Sequence, residues 1–266
     1  MIQGKQNQYN KIIGLSIPKI TGYCNGKKVE EIKNNNIKYI CIDEMTLSDK
    51  EETETIINKY SNCFIFLLGD ISEDGFPFQC CINENQIYKP NEKTQYIKYT
   101  KTYRFNEDLN NRLLKLRENQ YSNRNDENKL RKHKKFFMEL FKDRIFDIDK
   151  ISFNADDVGI STFDDTKKEN ELTNYFIENG KAEPQYYIKK TNIHNGQLRG
   201  QKLDGKPNHS NFEMKLFKTV HAYQGREVSD NNKLIVFVGG LFDYNLLYTA
   251  VSRARKTDQI YIINKY

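Results

Sequence analysis

Residues Ile37 to Leu68 read IKYICIDEMTLSDKEETETIINKYSNCFIFLL. Two short apolar runs, IKYICI (37–42) and CFIFLL (63–68), flank the polar stretch KEETETIINKY. Runs of this length, rich in Ile, Tyr and Phe and bounded by polar residues, read as buried strands, and the stretch between them reads as a helix. Strand, helix and strand within about thirty residues make one βαβ unit of a parallel sheet. The expected fold class is therefore α/β.

The remainder of the chain extends this pattern. FNEDLNNRLLKLRENQ places Phe105, Leu109, Leu113 and Leu116 at helical spacing, and KLRKHKKFFMELFKDRIF predicts a basic amphipathic helix. DVGISTF, from Asp157, predicts a short strand, and KKENELTNYFIENG a helix after it. PQYYIKKTNIHNGQLRG reads as a hairpin turning at Asn195–Gly196. KLIVFVGG and QIYII are strongly apolar and read as strands. The chain divides into two α/β blocks, 1–95 and 96–266, the first short for a complete parallel-sheet domain.

A chain of 266 residues can bury a full core. Its composition, 37% hydrophobic and 29% charged, is that of a folded, fairly polar protein. The net charge of +6 is compatible with a nucleic-acid partner without requiring one. The cysteines, Cys24, Cys41, Cys63, Cys80 and Cys81, are odd in number and form no CxxC pair. That pattern argues against a disulfide framework or zinc site and for a reducing compartment. No apolar run reaches membrane-spanning length and no signal peptide is visible, so the expected location is intracellular: cytoplasm, nucleus or a viral replication factory.

Four segments carry candidate chemistry. In IKYICIDEMTL an apolar strand ends at Asp43–Glu44, and the carboxyl end of a parallel strand is where open α/β sheets bind ligands. Asp43 can hold Mg²⁺, and Glu44 can orient and activate a water; a solvated turn is the alternative reading. FLLGDISEDGFPFQC repeats the pattern with Gly69–Asp70 and then Gln79, whose amide can sense a phosphate oxygen; taken alone, an ordinary polar loop is the better account. FKTVHAYQGREV gathers Thr219, His221, Gln224, Gly225 and Glu227 just before a strand. TAVSRAR carries Arg253 and Arg255, whose planar guanidinium groups suit phosphate oxygens; a surface arginine and an ion pair at the core edge are the plainer account.

The order of these segments, IDE, GD…Q, YRF, TVHAYQGRE and YTAVSRAR, resembles the motif order of superfamily 1 helicases from about Ile37 onward. It is most similar to the recombination-exonuclease and mitochondrial-maintenance type, and to helicases of large DNA viruses, where DNA replication and repair are the settings. The resemblance implies two RecA-like domains of the P-loop NTPase type with parallel sheets, and an ATP-dependent motor on single-stranded DNA, with RNA left open as a substrate. It assigns Asp43 to Mg²⁺, Glu44 to water activation, and Gln79 to coupling the γ-phosphate to DNA. Asp70 would lie at the nucleotide. Arg104, in KTYRF, and Arg253 would stabilise phosphate charge, with Arg255 bracing the loop. Thr219 and His221 would face DNA, and Gln224, Gly225 and Glu227 would link that strand to the nucleotide. Tyr248 and Thr249 would support the last motif on the DNA side.

Two departures stand out. The sequence contains no GxxxxGK[ST] phosphate loop before the Asp43–Glu44 strand; QGKQ (3–6) and NGKK (25–28) lack the earlier glycine and the following hydroxyl. The first domain is therefore expected to be truncated at its N-terminus, to be completed by a segment or partner chain supplying that loop, or to belong to a relative that no longer hydrolyses ATP. Near 186–211, where related helicases insert a small barrel, only a hairpin is expected. The basic run Lys129–Lys135 is read as a solvated helix face, with a phosphate-tracking surface as the alternative.

Overall fold

The computed structural model describes residues 37–48, 50–70, 102–118, 126–162, 166–188, 202–206, 212–223, 226–239 and 244–264, together with isolated positions including a two-residue antiparallel pair, Tyr23–Cys24 with Lys27–Lys28. The chain forms two compact units. One comprises Met1–Pro77 and Cys81–Tyr96, the other Phe78–Cys80 and Ile97–Tyr266.

The first unit contains the expected βαβ element. Strands β1 (Tyr39–Ile42) and β2 (Phe64–Leu67) run parallel, with Tyr39 opposite Phe64 and Ile42 opposite Leu67. Helix α1 (Lys50–Lys59) connects them, with Glu51 and Glu52 in its first turn and Lys59 in its last, each charge complementing the helix dipole. Strand alternation turns Ile40 and Ile42 inward onto Met45 of the loop and Ile56 of α1. The opposite face carries Tyr39 and Phe64, stacked with centroids 5.6 Å apart, and Phe66, all exposed.

The second unit is built on a four-stranded, wholly parallel sheet. Its strands are β3 (Val158–Ser161), β7 (Phe217–Thr219), β8 (Leu234–Phe237) and β9 (Ile260–Ile263), in the order β9-β8-β3-β7. Helices cover both faces. Leu234, Val236, Ile260 and Ile262 meet α2 (Glu107–Glu118), α3 (Glu127–Leu140) and α5 (Tyr244–Val251) through Leu109, Leu113, Leu116, Phe137 and Leu247. Ile235, Phe237 and Ile263 face the other way, toward Leu172 and Phe176 of α4 (Thr166–Glu178) and toward Phe153 and Phe217. Double coverage explains why LIVF is an unbroken apolar run rather than an alternating one: all four residues are buried. Gly159 of β3 permits close approach of its neighbour, since a Cβ there would lie 2.5 Å from the Leu216 carbonyl oxygen.

A second, three-stranded antiparallel sheet is formed by β4 (Tyr186–Ile188), β5 (Lys202–Leu203) and β6 (Phe212–Met214), in the order β5-β4-β6. β4 and β5 pair antiparallel, Tyr186 opposite Leu203, and the turn expected at Asn195–Gly196 lies outside the described residues. The third strand adds to the hairpin what the sequence did not suggest. The basic run of α3 lies on a helix started by Asp126, whose side chain accepts from the Asn128 and Lys129 amides at 2.9 and 3.3 Å. Phe137 and His133 are buried there, while Arg131, Lys132 and Lys135 are exposed. No helix among the described residues is long and apolar enough to cross a membrane.

Candidate nucleotide and nucleic-acid site

In the first unit, Asp43–Glu44 and Gly69–Asp70 follow the carboxyl ends of neighbouring parallel strands. Leu68 N donates to Ile42 O (2.9 Å) and Met45 N to Leu68 O (2.8 Å), so the two turns are hydrogen-bonded side by side. The Asp43 carboxylate accepts from the Glu44 amide at 3.0 Å and is otherwise exposed. Glu44 has φ 52° and ψ 47°, a left-handed conformation rare for a residue with a side chain. Such strain is held in place by surrounding structure and is common at functional positions. Cys41, largely exposed beside this turn, has its thiol pKa raised by partial desolvation and by the nearby Asp43 charge. Gln79 lies outside the described residues.

In the second unit, three of the expected charges meet. Glu227 lies between two arginines: Arg255 Nη2 is 2.5 Å from one carboxylate oxygen, and Arg104 Nε is 3.5 Å from the other. Arg255 also reaches Asp230 at 3.5 Å. The hydrogen bond from Arg255, helped by the charge of Arg104, holds the Glu227 carboxyl below the usual range; the same bond pushes the Arg255 guanidinium up. Backbone bonds set this meeting point. Asn106 N donates to Arg255 O (2.8 Å), and the Asn106 side chain accepts from the Leu109 amide (3.0 Å) at the start of α2. Arg104 is thereby tied to the loop carrying Arg255.

Arg253 occupies a different environment, 1% exposed. Its Nε donates to Thr249 O (3.0 Å), Nη1 to Arg226 O (3.3 Å) and Nη2 to Ser252 Oγ (2.9 Å). In return its own carbonyl accepts from Val228 N (2.9 Å). The two segments TAVSRAR and GREV are thus latched together by the guanidinium of one and the backbone of both. Tyr248 and Thr249 are also buried, on α5. Arg117 of α2 donates to the Tyr248 hydroxyl from Nε at 2.9 Å and stacks over its ring at 5.3 Å.

Of the two residues that the motif resemblance assigns to DNA, Thr219 ends β7, half-buried, with its hydroxyl accepting from Ala222 N at 3.3 Å. His221 opens a short 3-10 turn, His221–Tyr223, but its side chain falls outside the described part of the structure, as do Gln224 and Gly225. Among the described residues, no group of three or more His, Cys, Asp or Glu side chains converges on a metal position. One structural residue escaped the sequence reading. Gln259 accepts from the Arg255 and Lys256 amides (2.9 and 3.0 Å) and donates to Ser229 O and Asn232 O (2.7 and 3.1 Å), bolting the arginine loop to the segment after Glu227. No local signal marks a glutamine for that task.

No protein-family model matches the chain, and no curated protein matches it. Solved structures do. A Bacteroides Pif1 helicase in complex with ADP-AlF3 and single-stranded DNA matches with a TM-score of 0.55 at 13% identity, over 94% of this chain and 78% of that one. Coordinating Pif1 helicases on forked double-stranded DNA match at 0.56 and 13%, over 94% and 77%. Pif1 from Candida albicans matches at 0.50 and 12%, over 86% and 73%. At these identities the likeness establishes the fold alone: a mixed α/β chain with parallel sheets that match the RecA-like domains of these Pif1 structures.

Proposed function

We propose that the chain is an ATP-dependent superfamily 1 motor, or the larger part of one, that moves on single-stranded DNA. The observation that carries this reading is the assembly of Arg104, Glu227 and Arg255, from three separated segments, into one exposed charge cluster within a Pif1-like fold. Two arginines sharing one carboxylate are a ready receptor for a more highly charged anion. Nucleotide phosphates can exchange with Glu227 at little cost, because all three side chains are partly in solvent. Arg253 would join them only after its three internal hydrogen bonds open, so in the present conformation it serves as the latch that sets the position of Glu227.

Asp43, with the carboxylate exposed at a strand end, fits Mg²⁺, which takes one or two protein carboxylates and completes its shell with phosphates and water. Bound there, the ion would neutralise charge on the phosphate oxygens. Glu44 would act as the base for the attacking water, and Asp70 and Gln79 as sensors of the nucleotide. Thr219 and His221 would meet the DNA strand; Gln224, Gly225 and Glu227 would transmit its presence, with Tyr248 and Thr249 supporting the loop from inside. The 1–95 and 96–266 blocks would be the two RecA-like domains, with a phosphate loop supplied by an N-terminal segment or a partner chain. Replication, repair and a viral origin are settings that the motif resemblance alone suggests.

A second reading is favoured by one observation, the missing GxxxxGK[ST] in the sequence: a non-catalytic nucleic-acid-binding module that keeps the helicase fold. Phosphate release from ATP by the 266-residue chain, with and without single-stranded DNA, separates the two. DNA-stimulated release that is lost in Arg104→Ala and in Glu44→Gln supports the motor. DNA binding without nucleotide binding or hydrolysis, unchanged when a segment carrying a GxxxxGK[ST] loop is fused to the N-terminus or supplied in trans, supports the module and overturns the motor.

A further inference from the structure

Beside the edge strand β7, at the amino-terminal end of β3, the second unit contains a pocket of about 370 Å³. It is lined by the approach to β3 and its first residues, Ala155 to Gly159, not by the carboxyl end of that strand. Its size is in the range of small-ligand sites. Three cations line it: Lys202 from β5, Lys218 from β7 and Arg226 from the following loop. Tyr187, Tyr223 and Gln185 supply the walls.

The groups are held in place. Lys218 Nζ lies 4.5 Å from the centre of the Tyr187 ring. The Tyr187 hydroxyl donates to Gln185 Oε1 (2.9 Å), and Gln185 Nε2 and Lys202 Nζ both donate to the Ala155 carbonyl, at 3.2 and 2.9 Å. Two carboxylates border the pocket. Asp157 is already engaged, accepting from the Lys233 and Asn154 amides at 2.7 and 2.8 Å, with Lys233 Nζ at 3.7 Å. Asp156 stands exposed at the rim. Among the described residues, none of Lys202, Lys218 and Arg226 has a carboxylate partner. Burial, together with Arg226, Lys202 and Lys215 nearby, lowers the Lys218 pKa. A half-buried ammonium surrounded by other cations is electrostatically unfavourable until an anion arrives.

We infer that this pocket is a second oxyanion site that takes a phosphate group, with Lys218 and Arg226 as its charged contacts and Tyr187 and Tyr223 as faces for the attached organic part. The phosphate comes either from the backbone of a single strand or from a free phosphate compound. The strand source rests on the function proposed above; the site itself does not. Arg226 links it to the motif cluster. Its side chain lines the pocket, its carbonyl holds Arg253, and the next residue is Glu227. Filling the pocket would therefore stiffen the segment that carries Glu227.

The test compares wild type with Lys218→Met, Arg226→Gln and, as a control at an exposed lysine that does not line the pocket, Lys150→Met. Each is titrated with a fluorescent oligo-dT over a KCl series, and separately with inorganic pyrophosphate followed by lysine Nζ chemical shifts. For the strand source, Lys218→Met and Arg226→Gln each flatten the slope of log K against log salt by about 1, and Lys150→Met leaves it unchanged. For the free source, pyrophosphate saturates the Lys218 signal while the oligonucleotide slopes of all four proteins agree. Equal slopes with no pyrophosphate response at Lys218 overturn the site, whatever the ATPase result. A pyrophosphate response in a protein that neither binds DNA nor hydrolyses ATP would overturn the motor and leave the site standing. Arg226 is exposed, so its variant keeps the test valid should Lys218→Met fold poorly.

Discussion

Glu227 gives one carboxylate oxygen to Arg255 and the other to Arg104, residues more than a hundred positions apart in the sequence. The pairing has a pH consequence. The Glu227 pKa is depressed in the folded chain, so its contribution to stability is present above the unfolded carboxyl pKa and is lost as pH falls through the folded value. Because the pair is partly exposed, that contribution is about 1 kcal/mol or less and shrinks with salt. Urea denaturation of wild type and Glu227→Gln should differ at pH 7 in low salt and converge in acid below the depressed pKa. A difference that persists in acid would show that Glu227 acts through packing instead.

Arg253→Ala should be strongly destabilising. It leaves Thr249 O, Arg226 O and Ser252 Oγ without their shared donor inside the unit. Thr249 O keeps the Ser252 hydroxyl as a donor at 3.1 Å, so the cost is that of one or two unsatisfied acceptors at about 1–3 kcal/mol each together with the lost packing of a buried side chain, roughly 2–4 kcal/mol in all. Denaturant titration followed by circular dichroism reads it directly. A loss below about 1 kcal/mol would mean that the guanidinium is free to leave its latch. For this reason Arg104, which is exposed, is the cleaner residue for testing phosphate chemistry.

Gly159→Ala tests the sheet. The added methyl meets the Leu216 backbone carbonyl, which cannot swing aside as a side chain can. Forced separation of β3 from β7 should cost about 2 kcal/mol or more, seen as a lower thermal midpoint. An unchanged midpoint would place β7 further from β3 than the observed pairing.

Glu44→Gly separates strain from chemistry. Glycine accepts the left-handed conformation without penalty, so stability should rise by up to about 1 kcal/mol or stay level. Any nucleotide hydrolysis should vanish in the same protein. A marked loss of stability would show that the Glu44 side chain contributes more to the fold than its backbone costs.

Much of the fold was legible because its strands are apolar runs between polar punctuation: YICI, FIFL, LIVF and IYII all stand out, as do helices with Leu109, Leu113 and Leu116 on one face. The strand Phe217–Thr219 was not, since three residues with a central lysine carry no apolar periodicity. It is a strand because Gly159 lets it approach. At the site, residue types and order pointed to phosphate chemistry, but not to which arginine would be buried. Arg253 and Arg255 are two apart in a turn, and only the three-dimensional path of the Arg226–Val228 segment decides that one turns inward and the other meets Glu227. Lys218 and Arg226 lay inside the quoted motif, yet nothing in their spacing revealed that they share a pocket.

The strand order β9-β8-β3-β7 also governs how the second unit is made. Its central ladder joins segments about 76 residues apart, as the Lys233 amide on Asp157 illustrates, and β8 receives its other neighbour only from residues 260–263. Closing such long loops before any sheet contact is gained slows folding. During synthesis β3 emerges well before either of the strands that flank it, β7 and β8, leaving apolar edges uncovered in the meantime. The unit is therefore one that folds late and all at once, and its newly made chain is the form in which it depends most on chaperones.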